Sequence, residues 1–231
     1  SSHGTVYQGY NVCTLTYSNT SIPTTPAHGY DANGFCTNCG GGYQPATLAS
    51  EGNYEIANAG QLYWFAEQVN SGNNSINGKL TADIVVNHNV LDADGELNGA
   101  GSGFRVWTPI GQNITGKQFV GIFDGQGHTV SGLYFNDDGK SYVGLFGATK
   151  NSNIKNVGVT DSYFYANEYV AGICGSFSGT FLENCFNAAT CKGKTGSAGG
   201  AGGISAWTQA IIRNCYNKGL IKGDGAGVCY D

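Results

Sequence analysis

The chain has 231 residues, of which 38 are Gly and only 12% are charged, with a formal net charge of −5. It holds no basic cluster or basic stripe interleaved with aromatics, which argues against nucleic-acid binding. No apolar run approaches the 18 residues of a membrane-spanning helix. So much Gly with so little charge is unusual for a globular enzyme and natural for a solenoid with tight turns. There is no recognisable signal peptide and no Met, position 1 included, which suggests a processed chain or a fragment.

Residues 1–50 read as an N-terminal extension rich in Thr, Ser, Tyr, Gly and Pro. Thr5 to Tyr7 and Val12 to Tyr17 have strand composition, and Pro23 and Pro26 mark an extended linker. Cys36-Thr37-Asn38-Cys39 forms a knuckle, with His28 and Cys13 upstream. Cys13, His28, Cys36 and Cys39 offer thiolate and imidazole ligands for tetrahedral Zn²⁺. A single knuckle is a weak zinc signal, and a structural disulfide is the preferred alternative in a secreted chain.

Residues 51–118 are expected to cap the fold and supply its first strands. Ile56, Ala59, Leu62, Phe65, Ala66 and Val69 recur at three- and four-residue intervals. They predict an amphipathic helix over 58–70, with Asn58 as its N-cap and an end near Gly72. Such a helix is expected to cover the open first rung. Residues 79–86 and 107–110 read as strands, and 87–103 as a polar loop. In that loop Asp92-Ala93-Asp94-Gly95-Glu96 spaces carboxylates as a Ca²⁺ loop does. It lacks the full 12-residue pattern, so a solvated turn is the favoured reading. Asn136-Asp137-Asp138-Gly139, further on, is expected to be a turn between rungs.

Residues 119–231 repeat. Val120-Gly121-Ile122-Phe123, Val143-Gly144-Leu145-Phe146, Ala171-Gly172-Ile173-Cys174, Gly202-Gly203-Ile204-Ser205 and Ala226-Gly227-Val228-Cys229 say nearly the same thing, at spacings of 23, 28, 31 and 24. A second phrase keeps step: Val130-Ser131-Gly132-Leu133, Ile154-Lys155-Asn156-Val157, Leu182-Glu183-Asn184-Cys185 and Ile212-Arg213-Asn214-Cys215, at spacings of 24, 28 and 30. Short strands at such a period stack rung on rung as a parallel β-helix. The five glycines Gly121, Gly144, Gly172, Gly203 and Gly227 are therefore expected to align. Asn156, Asn184 and Asn214 are expected to form an amide ladder. Leu133, Val157, Cys185 and Cys215 are expected to form an inward column. Within the repeats the carboxylates look sparse and unaligned.

Phe119-x-Gly121-x-Phe123-Asp124-Gly125-Gln126-Gly127-His128, followed by Gly132-Leu133 and Tyr142-Val143-Gly144-Leu145-Phe146-Gly147, resembles the GLUG-type repeats of bacterial surface proteins. Tyr54-Glu55-Ile56, Ala59-Gly60-Gln61-Leu62 and Trp107-Thr108-Pro109-Ile110-Gly111 resemble the lead-in to such repeats. The resemblance implies a right-handed β-helix on a secreted or wall-attached protein, and it carries no catalytic residues or cofactor.

The expected fold is thus all-β, a right-handed parallel β-helix with a capping helix and a strand-like N-terminal extension. The expected function is a non-enzymatic structural or adhesive role at the bacterial cell surface. A carbohydrate-binding module and a β-helix polysaccharide lyase or hydrolase are the alternatives. An aromatic platform without carboxylates would favour the module, and clustered carboxylates the enzyme. Expected partners are other copies, other surface proteins or glycans. The strand-like residues Val6, Tyr7, Val12, Cys13, Leu15 and Tyr17 suggest strand donation towards a rung that begins at Val228 and Cys229, building head-to-tail assemblies.

Overall fold

The computed structural model describes residues 28–38, 41–196 and 200–223. Within them, strands wind into a parallel β-solenoid of three sheets, with one α-helix near its start. The first sheet runs Thr47–Leu48, Asn53–Ile56, Asn77–Leu80, Ile122–Asp124, Ser152–Lys155, Gly179–Glu183 and Ile211–Arg213. The second is built on Ile84–Val85, Thr129–Ser131, Gly158–Ala171, Phe186–Gly193 and Tyr216–Asn217. The third holds Phe146–Ala148, Cys174–Phe177 and Ser205–Thr208. Every pairing between these strands is parallel except the first, Thr47–Leu48 with Asn53–Ile56.

Period-2 alternation sorts the side chains. Phe123, Ile154 and Leu182 lie directly above one another, pointing inward and fully buried. Phe146 packs against Phe119 and Phe123 with ring centroids 5.3 and 5.2 Å apart. Burying each such ring contributes roughly 1.5–3 kcal/mol, and this column of aromatics and aliphatics is the main stabilising element.

The register corrects part of the repeat reading. Phe146, Cys174 and Ser205 pair across the third sheet, so Gly144, Gly172 and Gly203 do occupy equivalent rungs. Gly121 does not join them. Its neighbours Ile122-Phe123-Asp124 pair with Asn153-Ile154-Lys155 in the first sheet. The residue stacked on Phe146 is instead Ile110, so the Trp107–Gly111 phrase is itself a rung. The two phrases look alike because both place a Gly at a tight approach before an apolar pair. A Cβ on Gly121 would lie 2.2 Å from the Ile76 carbonyl oxygen, and one on Gly144 2.5 Å from that of Ala171. Likewise Val130 pairs with Val159, so Leu133 leaves the expected column, which is Val157, Cys185 and Cys215. Gly227 lies outside the described residues.

The helix spans Ala59–Asn70. Asn58 caps it, accepting the Gln61 N–H at 2.9 Å, while the Gln61 side chain accepts the Ala57 N–H at 2.7 Å. This reciprocal arrangement is close to a capping box. Phe65 reaches from the helix to meet Phe119 and Phe123 edge-on at 6.1 and 5.9 Å. The backbone edge of the first sheet is met not by the helix but by the antiparallel strand Thr47–Leu48. A helix uses its own donors and acceptors internally and has few to offer an open edge. The Asn136–Gly139 stretch is no turn between rungs. It lies within the strand Tyr134–Val143, where pairing to the next rung skips between Ala166 and Glu168 and the Asp137 carboxylate accepts the Gly139 N–H.

Candidate functional site

The outer face of the third sheet carries an open trough of about 460 Å³. Ala148, Ser176 and Trp207 occupy the same position on three successive rungs. Two small side chains followed by a large one leave a floor that ends against the Trp207 indole, which is 40% exposed. Tyr142 and Tyr169 form a side wall. Their rings stack at 4.7 Å with an interplanar angle of 10°, one rung apart. Thr149, Lys150 and Ser178 also line the trough, and Asn113 lies beside Tyr142.

The backbone makes an effort to present those tyrosines. Tyr142 and Tyr169 have φ of 65° and 57°. A bulky residue in the left-handed region is a true outlier, costing on the order of 1–2 kcal/mol. The strand ends that carry them lie close against the third sheet. A Cβ on Gly147 would meet the Tyr142 carbonyl oxygen at 2.9 Å, and one on Gly175 the Tyr169 oxygen at 2.6 Å. Burial, then Tyr169 and Glu168, push the Tyr142 hydroxyl above its usual range, although Asn113 hydrogen-bonds to it. It is therefore neutral, a hydrogen-bond donor and acceptor, across physiological pH. Among the described residues lining the trough, Lys150 is the one that is charged, and none is Asp or Glu.

Two of the repeat carboxylates, Asp124 and Glu183, stand in one column on another face, whereas Asp161 accepts the Leu91 N–H and Asp138 pairs with Lys194. Glu55, Lys79, Asp124, Lys155, Glu183 and Arg213 form one outward column of the first sheet, with signs alternating at every rung. Lys79 pairs with Glu55 at 3.1 Å, Lys155 with Asp124 at 3.1 Å and Arg213 with Glu183 at 2.6 Å. The sequence signal was the sign alternation itself, which becomes visible only once the register is known. Beside it stands the amide ladder. Asn156 donates to Asp124, Asn184 to Asn156 and Asn214 to Asn184, at 2.9, 3.0 and 3.2 Å. Asn187 donates to Asn217 in the same way at 2.8 Å.

Of the zinc set, His28 and Cys36 do come together, with Nδ1 3.5 Å from Sγ. Cys36 is disulfide-bonded, however, and a disulfide sulfur has no thiolate charge to offer zinc. Cys13 and Cys39 lie outside the described residues, as do Val6, Tyr7, Val12, Leu15, Tyr17, Val228 and Cys229. Among the described residues no three His, Cys, Asp or Glu side chains are grouped to hold a metal ion. In the Asp92–Glu96 loop the Asp92 carboxylate accepts the Asp94 and Glu96 N–H groups at 3.0 and 2.9 Å, closing a turn on itself. Cys174, Cys185, Cys191 and Cys215 are free and buried. Cys185 and Cys215 are stacked neighbours, the Cys185 N–H lying 3.4 Å from the Cys215 sulfur. Burial holds the Cys174, Cys185 and Cys191 thiols well above the ordinary range, so they act as small apolar residues.

No protein-family model matches the chain. It is 31% identical over 148 residues to "Halomucin" of Haloquadratum walsbyi, which covers 62% of this chain and 2% of that protein. It is 30% identical over 90 residues to a "Putative Gly-rich membrane protein" of Evansella cellulosilytica, covering 38% of this chain and 10% of that protein. The chain thus spans a small fraction of the length of these relatives. Among solved structures, the "putative immunoglobulin A1 protease from Bacteroides ovatus" matches at 18% identity with a TM-score of 0.48, over 80% of this chain and 66% of that one. No described helix is long and apolar enough to cross a membrane.

Proposed function

We propose that this chain is a non-catalytic, carbohydrate-binding β-helix module of an extracellular or cell-surface protein. The trough formed by Tyr142, Tyr169 and Trp207 carries this reading. The exposed Trp207 indole suits the C–H face of a pyranose ring, bordered by the edges of the stacked Tyr142 and Tyr169 rings, while Asn113, Thr149 and Ser178 supply amide and hydroxyl partners for sugar hydroxyls. A polysaccharide hydrolase would need two carboxyl groups flanking the scissile bond, about 5–10 Å apart. No described Asp or Glu lines the trough, and Asp124 and Glu183 are engaged in the ion column on another face. The GLUG-like phrases and the similarity to Halomucin agree with an extracellular setting, where glycan recognition gives an adhesive role.

The test is affinity electrophoresis of the intact chain through gels containing a panel of soluble polysaccharides, with reducing-end assays on the same samples. At least one polysaccharide is expected to retard the chain, with no release of reducing ends. Trp207→Ala and Tyr169→Ala are expected to weaken that binding about tenfold each, the scale of one lost stacking contact. Circular dichroism controls for folding. Retardation by none of the panel would overturn the proposal, and so would turnover of any member.

A further inference from the structure

We infer that Cys185 and Cys215 are a site of oxidative modification, at which a peroxide joins the two thiols into a disulfide that fastens the last two described rungs together. This goes beyond the carbohydrate-binding reading and is independent of it.

The four free cysteines differ in their neighbours. Cys174 is in register with Phe146 and Ser205, and Cys191 with Phe164 and Ile221. Neither has a sulfur at its own position on the rung above or below. Cys185 and Cys215 do, because Phe186 pairs with Tyr216 immediately after them. Adjacent parallel strands stand about 4.8 Å apart. That Cα separation lies inside the range of roughly 4.4–6.8 Å that disulfides span. Cβ atoms in strict register stand about as far apart as the strands, beyond the roughly 3.8 Å that a disulfide prefers. A sulfur that leans towards the other rung makes up the difference, and the Cys215 sulfur leans in that way. It lies 3.4 Å from the Cys185 nitrogen and 3.6 Å from the Leu182 carbonyl oxygen, both on the rung beneath its own. The two thiols also hydrogen-bond to each other.

The two sulfurs have different parts in the chemistry. A thiolate, not a thiol, is the nucleophile. The bond from the Cys185 thiol lowers the Cys215 thiol; burial opposes it, the Cys185 N–H adds to the lowering, and the net direction is downward. Burial holds the Cys185 thiol well above its ordinary value. Cys215 is therefore the attacking sulfur and Cys185 the resolving one. The pair is 1% and 4% exposed, which closes it to bulky reagents and is why the oxidant is a peroxide. Attack of the Cys215 thiolate on one peroxide oxygen breaks the O–O bond, leaves a sulfenic acid on Cys215 and releases hydroxide. The Cys185 sulfur then attacks the Cys215 sulfur. The S–S bond forms, and the sulfenic oxygen leaves as water with the Cys185 proton. Between them the two thiols lose two protons and two electrons, and the peroxide is reduced to two waters.

The bridge closes one full turn of the solenoid. The rung that it secures is thin: its strands Ile211–Arg213 and Tyr216–Asn217 are short, and Ile211 and Tyr216 are 56% and 48% exposed. A covalent link to the rung beneath restricts the freedom of that turn to come away.

The experiment treats the intact chain with hydrogen peroxide, removes the oxidant with catalase and alkylates the remaining thiols in denaturant. Chymotryptic peptides are then read unreduced by mass spectrometry. A Cys185–Cys215 linked peptide is expected, with Cys174 and Cys191 alkylated. Backbone hydrogen exchange across residues 211–217 is expected to slow about tenfold on oxidation and to recover with dithiothreitol. In Cys185→Ala, Cys215 has no resolving thiol, so it is expected to hold a sulfenic acid that dimedone traps, with no slowing of exchange. Alkylation of both Cys185 and Cys215 after peroxide treatment overturns the inference, as does a link from either to another cysteine. A sulfenic acid trapped in Cys215→Ala but not in Cys185→Ala overturns the assignment of the attacking sulfur. A linked pair with unchanged exchange overturns the fastening of the rungs.

Discussion

Two faces of the same solenoid obey opposite rules. On the first sheet each rung answers the one below it: Asn on Asn, cation on anion, with distances from 2.6 to 3.2 Å. Polar groups there are consumed by their neighbours, so the face stabilises the stack and offers little to a ligand. On the third sheet successive rungs disagree. Ala148 and Ser176 sit beneath Trp207, and beside them two tyrosines at the ends of second-sheet strands hold left-handed backbone. The same positive φ appears at Asn156, Asn184 and Asn214, at 55°, 53° and 52°. In the ladder it is cheap, because Asn tolerates that region and its amide is rewarded by hydrogen bonds. At Tyr142 and Tyr169 it is expensive and is met by ring stacking and, at Tyr142, a hydrogen bond with Asn113. Strain that folding does not need is where binding is to be sought.

Substitution at matched positions can break that contrast. Asn184→Ala removes two ladder hydrogen bonds and forces a Cβ residue with no compensating contact into left-handed backbone. The expected cost is about 2–3 kcal/mol by urea denaturation. Asn184→Gly loses the same bonds without the strain and should cost about 1 kcal/mol less. Equal losses for the two would show that the left-handed turn imposes no constraint. On the other face, Tyr169→Gly gives up a stacked ring pair but relieves the backbone. Stability is expected to change by less than about 1 kcal/mol in either direction, while glycan binding weakens about tenfold. A loss as large as that of Asn184→Ala would mean that the tyrosine is structural and the two faces are alike.

The ladder face was largely legible in the sequence, and the trough was not. Asn156, Asn184 and Asn214 announce themselves because a stacked amide must recur at one position with one identity. The ion column was missed because it conserves position while reversing sign, and because Glu55 and Lys79 lie before the repeats become obvious. The N-cap at Asn58 was legible because capping is local. The trough is built from residues on different rungs and different elements: Asn113 from a loop, Tyr142 and Tyr169 from strands, and Trp207 opposite Ser176. In the sequence Tyr163, Phe164, Tyr165 and Tyr169 look like one aromatic patch. Alternation and the bend of that strand instead leave Tyr163 and Phe164 only 5% and 0% exposed and turn Tyr169 into the trough wall. Gly121 was misplaced since a close approach demands Gly at either corner, whichever sheet follows.

The smallest expected effect tests where the two ladders meet. Asp124 is both the foot of the amide ladder and a member of the ion column. Burial pushes its carboxyl up. The bonds from Asn156 and the Gln126 N–H, together with Lys155, outweigh that and hold it below the ordinary value of 3.8. A carboxyl depressed in the folded state contributes stability above its unfolded pKa and loses it as pH falls through the folded one. Asp124→Asn keeps an oxygen to accept from Asn156 and removes only the charge. Wild type is therefore expected to exceed the variant by less than about 1 kcal/mol at pH 7, because the Lys155 partner is partly solvated. The gap should close as pH falls below about 4, where the wild-type carboxylate takes up its proton. Added salt at pH 7 should narrow the gap as well, since the column is exposed along one side. A gap that is unchanged from pH 7 to pH 3 would show that the charge of Asp124 is not its source, and the alternating charges would then be no part of what holds the rungs in register.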